Sequence, residues 1–100
     1  MSAMCVRILK EAHEDIRDGR RFYDERERGV GRYFSSTILA DIRSLRNFAG
    51  IHPQQYNYYR MLVRRFPYSI YYDKDGEDVT VVAVLDNRRD PSWIARRLAL

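Results

Sequence analysis

The segment spanning residues 59–93 constrains the fold most, because it has the pattern of short β-strands joined by tight turns. Side-chain type alternates with a period of two in residues 58–64, which predicts one strand, and Tyr68–Tyr72 forms a second. The apolar, β-branched run VTVVAVL at residues 79–85 is typical of an interior strand. We therefore predict an antiparallel meander in this half of the chain.

Turn and cap residues fit the same interpretation. The sequence Asp73-Lys74-Asp75-Gly76 supplies a hairpin turn between the second strand and the run at 79–85. Further along, Asp90 followed by Pro91 has the chemistry of a helix N-cap and first helical position. We expect a short C-terminal helix that carries Trp93.

Two amphipathic helices are predicted in the first half of the chain, because apolar residues recur there at helical spacing. A first strand at Cys5–Leu9 precedes them, and glycines at positions 29 and 31 separate them. Asp41 is expected outside the apolar stripe of the second helix, which should end near Gly50. The stripes are Ala12, Ile16, Gly19 and Tyr23 in the first helix and Phe34, Ile38, Ile42, Leu45 and Ala49 in the second.

The predicted element order is β-α-α-β-β-β with a short C-terminal helix, in a single domain over residues 1–100. This is an α+β fold in which a helical hairpin packs on one face of an antiparallel sheet of three or four strands. The sequence encodes no cover for the other sheet face. We expect a partner to bind on that uncovered face.

The positive charge of the chain is concentrated in its middle third. The formal net charge is +4, yet residues 42–72 hold five arginines and no acid. Arginine is suited to bidentate contacts with phosphate or carboxylate groups. An arginine-rich surface that is simply solvated remains an equally good interpretation of the total count.

Several classes of site are excluded by composition. One cysteine and two histidines, His13 and His52, lack the spacing of metal ligands, and no phosphate-binding loop or nucleophile elbow is present, so we expect no cofactor. Both histidines are expected to be ordinary surface residues. No apolar run is long enough for a membrane span and no secretory signal is evident. The lone Cys5, expected as a small buried strand residue, fits a cytoplasmic protein.

Three sequence motifs resemble the RelE/ParE family of bacterial type II toxin–antitoxin toxins. They are RRFPYSIYY at residues 64–72, the AVL strand followed by Asn87-Arg88-Arg89-Asp90-Pro91, and FYDERERGVGRYF at residues 22–34. The first two are most similar to the ParE-like branch. The resemblance implies a small toxin that a cognate antitoxin neutralises in a hetero-oligomer.

The family contains two mechanisms, and the resemblance leaves both open. RelE-like members cut mRNA on the ribosome with basic residues, whereas ParE-like members inhibit DNA gyrase. Arg60 and Arg88 match RelE-type basic positions, but Leu62 and Ser69 replace two others, and the C-terminal tyrosine falls near Trp93 or Ile94. We expect a non-enzymatic gyrase inhibitor. The alternatives are a metal-independent endoribonuclease using Arg60, Arg64 and Arg88, and a degenerate member without toxicity.

The candidate partner-binding residues follow from the arginine pattern and the resemblance. Arg60 and Arg64 lie four residues apart in the predicted strand and should share a sheet face. Neither a small-molecule substrate nor a membrane is expected as a partner. The full candidate set is Arg60, Arg64, Arg65, Tyr68, Arg88, Arg89 and Trp93.

Overall fold

A computed structural model of the protein describes residues 3–99, and it has an α+β architecture, as the sequence predicts. Two helices pack on a sheet and a third, short helix closes the chain. In chain order the elements are β1 (Cys5–Ile8), α1 (Lys10–Arg26), α2 (Val30–Phe48), β2 (Gln54–Gln55), β3 (Tyr58–Leu62), β4 (Tyr68–Asp75), β5 (Asp78–Asp86) and α3 (Pro91–Leu98).

The sheet has five strands in the order β1-β5-β4-β3-β2, rather than three or four, and it is mixed rather than purely antiparallel. The predicted meander is present, with β3, β4 and β5 paired antiparallel. β1 pairs in parallel with β5, and two helices and three strands lie between the two strands in the chain. The two-residue β2 forms between α2 and β3, and Tyr56 and Asn57 both adopt positive φ in the tight turn that joins it to β3.

The helical hairpin covers one face of the sheet, as predicted. All five residues of the α2 stripe are buried, as are Ala12, Ile16 and Gly19 of α1. The helices approach closely at Gly31, where a β-carbon would lie 2.3 Å from the carbonyl oxygen of Arg20. Only glycine fits there, and its amide donates to Asp24 Oδ1 at 2.8 Å. Gly31 therefore joins the two helices rather than merely separating them.

The second face of the sheet is not uncovered, contrary to the sequence prediction. α3 packs Ile94 and Leu98 against Tyr71, Ala83 and Leu85 to form a second, smaller core. Asp90 caps this helix by accepting from the Ser92 amide at 2.8 Å, as predicted. The sequence did not predict that α3 covers this face, because the apolar stripe of the helix is short and the residues it packs against lie far away in sequence.

Two further predictions about burial were wrong. Cys5 is exposed, because β1 is an edge strand and alternate side chains of the strand face away from the hairpin. Asp41 is buried although it was expected outside the stripe of α2. Its Oδ2 accepts from the amide of Arg64 at 3.2 Å, so the carboxylate ties the loop after β3 to α2.

Contrary to the sequence prediction, His52 is not an ordinary surface residue, because it helps Tyr72 to anchor the loop that follows α2 to the sheet. The Tyr72 hydroxyl accepts from the amide of Gly50 at 2.8 Å and lies 2.6 Å from His52 Nδ1. When the His52 proton is on Nε2, Nδ1 accepts the hydroxyl proton of Tyr72. Burial lowers the pKa of His52 below its ordinary value of 6.5, and the neutral ring fits this arrangement.

This arrangement predicts a pH-dependent stability. An unfolded chain binds a proton on His52 near pH 6.5, whereas the folded chain resists it, so the contribution of His52 is fully present above pH 6.5. The contribution is lost as the pH falls through the lowered folded pKa. Urea unfolding above and below pH 6.5 should therefore show a loss of stability on acidification that is smaller in His52→Asn.

The exposed His13 provides the matched control. His13→Asn should retain the pH dependence of the unmodified chain. An equal effect of the two substitutions would contradict the role given to His52.

Candidate functional site

The seven candidate residues lie in three separate places rather than on one arginine-covered face. Arg60 and Arg88 flank Asn87 at the end of the meander. Arg64 and Arg65 lie in the loop between β3 and β4. Tyr68, Arg89 and Trp93 line a cleft between α1, the end of β5 and α3.

Arg60 lies on the sheet face that α3 partly covers, opposite Tyr71 in the register of β3 and β4. Its Nη2 donates to Asn87 Oδ1 at 3.1 Å, and the same oxygen accepts from the hydroxyl of the fully buried Ser69 at 2.6 Å. Within residues 3–99, the buried Nε of Arg60 has no hydrogen-bond partner. The side chain is thus half-buried in a polar network that contains no carboxylate.

Arg88 is paired with a carboxylate of its own chain. Its Nε and Nη2 donate to the two oxygens of Asp86 at 3.0 and 2.8 Å, the bidentate geometry that guanidinium favours. Burial alone would raise the pKa of Asp86, but the hydrogen bonds from Arg88 outweigh it and the pKa is lowered. The same side-chain hydrogen bond raises the pKa of Arg88. Its charge is locally neutralised.

Contrary to the sequence prediction, Arg64 does not share a strand face with Arg60. β3 ends at Leu62, and Val63 turns into the main core, where its amide donates to the carbonyl of Tyr68 at 2.9 Å. Arg64 therefore falls in the following loop, where its side chain is exposed.

The loop itself is fixed by an aromatic anchor. The ring of Phe66 packs against Tyr23, Tyr33 and Phe34, with centroid distances of 5.0, 5.5 and 5.1 Å. Arg65 adopts a φ of +68°, which is uncommon for a residue with a side chain, and its Nη1 donates to the hydroxyl of Tyr33 at 2.8 Å. Two exposed arginines are thus presented on a loop whose backbone is held at several points.

Tyr68 is buried beside the cleft and is poorly suited to act as a base near neutral pH. Its side chain is only 7% exposed, and burial, with a further contribution from Asp86, raises its pKa to about 12. The phenol therefore stays protonated near neutral pH. Arg89 lies over the indole of Trp93, with its guanidinium carbon 4.1 Å from the ring centroid.

An ion pair joins the walls of this cleft. Asp15 Oδ2 accepts from Arg97 Nη2 at 2.7 Å and from the amide of Val84 at 3.0 Å, which links α1 to α3 and to β5. Both side chains are largely buried, with 14% and 19% exposed. Burial raises the pKa of Asp15, although the Val84 amide and Arg97 act in the opposite direction.

A further surface, an apolar groove between β1 and α2, was not predicted from the sequence. Arg43 and Arg46 stand at its rim. The signal was present in the apolar positions of α2 beside these arginines, but β1 could not be placed next to α2 from local pattern alone. The groove is lined by Met4, Cys5, Val6, Ile8, Leu39, Ile42, Arg43 and Arg46.

β1 forms one edge of the sheet beside this groove. The amides of Cys5 and Leu9 donate to the β5-side carbonyls of Glu77 and Val81. Because successive amides of a strand point in opposite directions, those of Val6 and Ile8 face away from β5. At Val6 and Ile8 this edge can accept another strand, whereas the outward amide of Met4 already donates to the carbonyl of Arg46 at 3.1 Å.

Neither a cluster of metal-ligand side chains nor a helix able to span a membrane is found among residues 3–99. Between residues 3 and 99, histidine, cysteine and acidic side chains nowhere form a group of three that could hold a metal ion. In the same part of the chain, the three helices are too short or too polar to cross a bilayer.

Comparisons with known proteins agree with the fold. The family described as the ParE toxin of type II toxin–antitoxin system, parDE, matches residues 6–91. A solved chain of the chromosomal ParDE TA system from P. aeruginosa is similar, with a TM-score of 0.74 and 14% identity. That match covers 82% of this chain and 94% of the other, and at such identity it shows a shared fold. No curated protein sequence matches.

The two ion pairs of this region should differ in their effect on stability. Arg97→Met removes the partner of a largely buried carboxylate and keeps an apolar stem, so the free energy of unfolding should fall by about 1–3 kcal/mol. Arg88→Met, which breaks a pair whose arginine is 58% exposed, should change it by less than about 1 kcal/mol. Urea unfolding of both variants tests this order, and a larger loss in Arg88→Met would contradict it.

Proposed function

Because this chain belongs to the ParE toxin family of type II toxin–antitoxin systems, we propose that it inhibits DNA gyrase by binding and that a cognate antitoxin neutralises it. Gyrase lies in the cytoplasm, so we propose that the toxin acts there. Binding is favoured over catalysis by the contacts that the arginines needed by an endoribonuclease already make within the chain.

Cleavage of RNA without a metal needs a group that removes a proton and free cations that stabilise the charged phosphate. Here Arg88 is paired with Asp86, and Arg60 is held by Asn87 in a half-buried network. Tyr68 has a pKa of about 12, and His52 is bonded to Tyr72 in another part of the fold. These contacts favour a binding protein over an endoribonuclease.

We assign antitoxin binding to the groove between β1 and α2. The outward amides of Val6 and Ile8 offer main-chain hydrogen bonds to an added strand, and Leu39 and Ile42 offer an apolar floor. Arg43 and Arg46 at the rim favour a segment with acidic residues beside its apolar ones. The antitoxin segment at this edge is therefore an acidic amphipathic strand.

We assign target binding to the loop that carries Arg64 and Arg65. A positive φ, as at Arg65, costs a non-glycine residue on the order of 1 kcal/mol of conformational free energy. Such strain persists where the surrounding structure imposes it. Here Phe66 and the hydrogen bond from the Arg64 amide to Asp41 impose it. The result is a fixed loop backbone that presents two exposed arginines, of which Arg65 is also held by the hydroxyl of Tyr33. A fixed cationic loop is suited to an acidic patch on a protein.

A gyrase supercoiling assay tests the proposal. The purified chain should reduce supercoiling in a dose-dependent way, and the double variant Arg64→Ala/Arg65→Ala should need at least about tenfold more protein for the same inhibition. Arg17→Ala/Arg21→Ala, which removes two exposed arginines of α1, is the charge-matched control and should inhibit normally. Growth arrest with gyrase unaffected would contradict the proposal, as would ribosome-dependent mRNA cleavage that Arg88→Ala abolishes.

The same assay also tests where the antitoxin binds. The protein encoded by the adjacent reading frame should restore supercoiling to the inhibited reaction. Leu39→Asp places a charge in the groove and should prevent this rescue while leaving inhibition intact, whereas Ser36→Asp on the exposed face of α2 should still be rescued. Equal rescue of both variants would rule out the groove as the antitoxin site.

A further inference from the structure

The cleft between α1, the end of β5 and α3 is opposite in charge to the rest of the protein. It has a volume of about 600 Å³, and five carboxylates and two guanidinium groups line it, an excess of three negative charges in a chain of net charge +4. Such a local reversal creates a field that attracts cations.

Three of the carboxylates are unpaired. Glu11, Glu14 and Asp18 recur at the spacing of one face of α1, and each is exposed. Among residues 3–99 none of the three takes part in a hydrogen bond or an ion pair. Each of these exposed carboxylates can therefore pair with a cationic group of a partner.

The cleft already holds guanidinium groups of its own chain, and they show two ways in which it binds them. Arg97 is ion-paired with Asp15 at 2.7 Å, which is recognition by a carboxylate. Arg89 lies over the indole of Trp93 at 4.1 Å, which is recognition by an aromatic face. The stacking of Arg89 on Trp93 uses the planar shape of guanidinium, which an ammonium group lacks.

We propose that this cleft docks an arginine-bearing segment of a protein partner. The arginines of the segment pair with Glu11, Glu14 and Asp18, and their apolar stems lie against the exposed part of Trp93. This interaction is independent of the toxin assignment, since the cleft shares no lining residue with the groove between β1 and α2.

Trp93 makes the proposal directly measurable. It is the single tryptophan of the chain and it lines the cleft, so its fluorescence reports occupancy there. Titration of the full chain with a hexa-arginine peptide should change the Trp93 emission in a saturable way. Hexa-lysine should bind more weakly, and hexa-glutamate should have no effect.

Two triple variants with the same change of charge separate the cleft from general attraction. Glu11→Gln/Glu14→Gln/Asp18→Asn should weaken hexa-arginine binding about tenfold. Asp73→Asn/Asp75→Asn/Asp78→Asn removes three exposed acids of the β4–β5 hairpin and should change the affinity less than about twofold. Circular dichroism checks that both fold, and the single Glu14→Gln, expected to weaken binding about twofold, replaces the first triple variant if it does not.

Three results would overturn the proposal. An unchanged or non-saturating Trp93 emission would show that the cleft does not bind the peptide. Equal weakening by the two triple variants would show attraction to net charge alone. Equal affinity for hexa-lysine would show that guanidinium is not what the cleft recognises.

Discussion

The packing of Phe34 is the constraint on which the other features depend. Its fully buried ring lies so close to α1 that a β-carbon at Gly19 would come within 2.6 Å of it. The same ring contacts Tyr68 of β4 and Phe66 of the arginine loop, at centroid distances of 4.8 and 5.1 Å. One side chain therefore fixes α1, α2, the sheet and the loop relative to one another, and aromatic contacts of this kind add to the stabilisation from buried area.

The surfaces of the molecule follow from this arrangement. Because the hairpin lies over the middle of the sheet, β1 remains an edge strand with a groove beside α2, and the far end of β5 meets α1 to form the cleft. The groove carries arginines and the cleft carries carboxylates. Their charges favour partners of opposite sign, so one small domain offers distinct binding surfaces.

Local pattern was enough to predict the helices, the meander strands and the cap at Asp90, because each depends on residues a few positions apart. The parallel partner of β1, the cover that α3 provides and the burial of Asp41 depend on contacts distant in sequence. For the candidate residues, the resemblance indicated which arginines to consider, but it could not show that Asp86 neutralises Arg88 or that Asn87 holds Arg60. Such pairings depend on side-chain geometry that periodicity does not encode.

The central claim, that the edge of β1 receives the antitoxin, is tested most directly by amide hydrogen exchange in the free toxin and in the complex. The amides of Val6 and Ile8 face away from β5 and should exchange rapidly in the free protein, whereas that of Cys5 is already bonded to Glu77. Complex formation should slow exchange at Val6 and Ile8 by at least about tenfold and alter Cys5 much less. A stable complex in which Val6 and Ile8 exchange as fast as before would contradict the account.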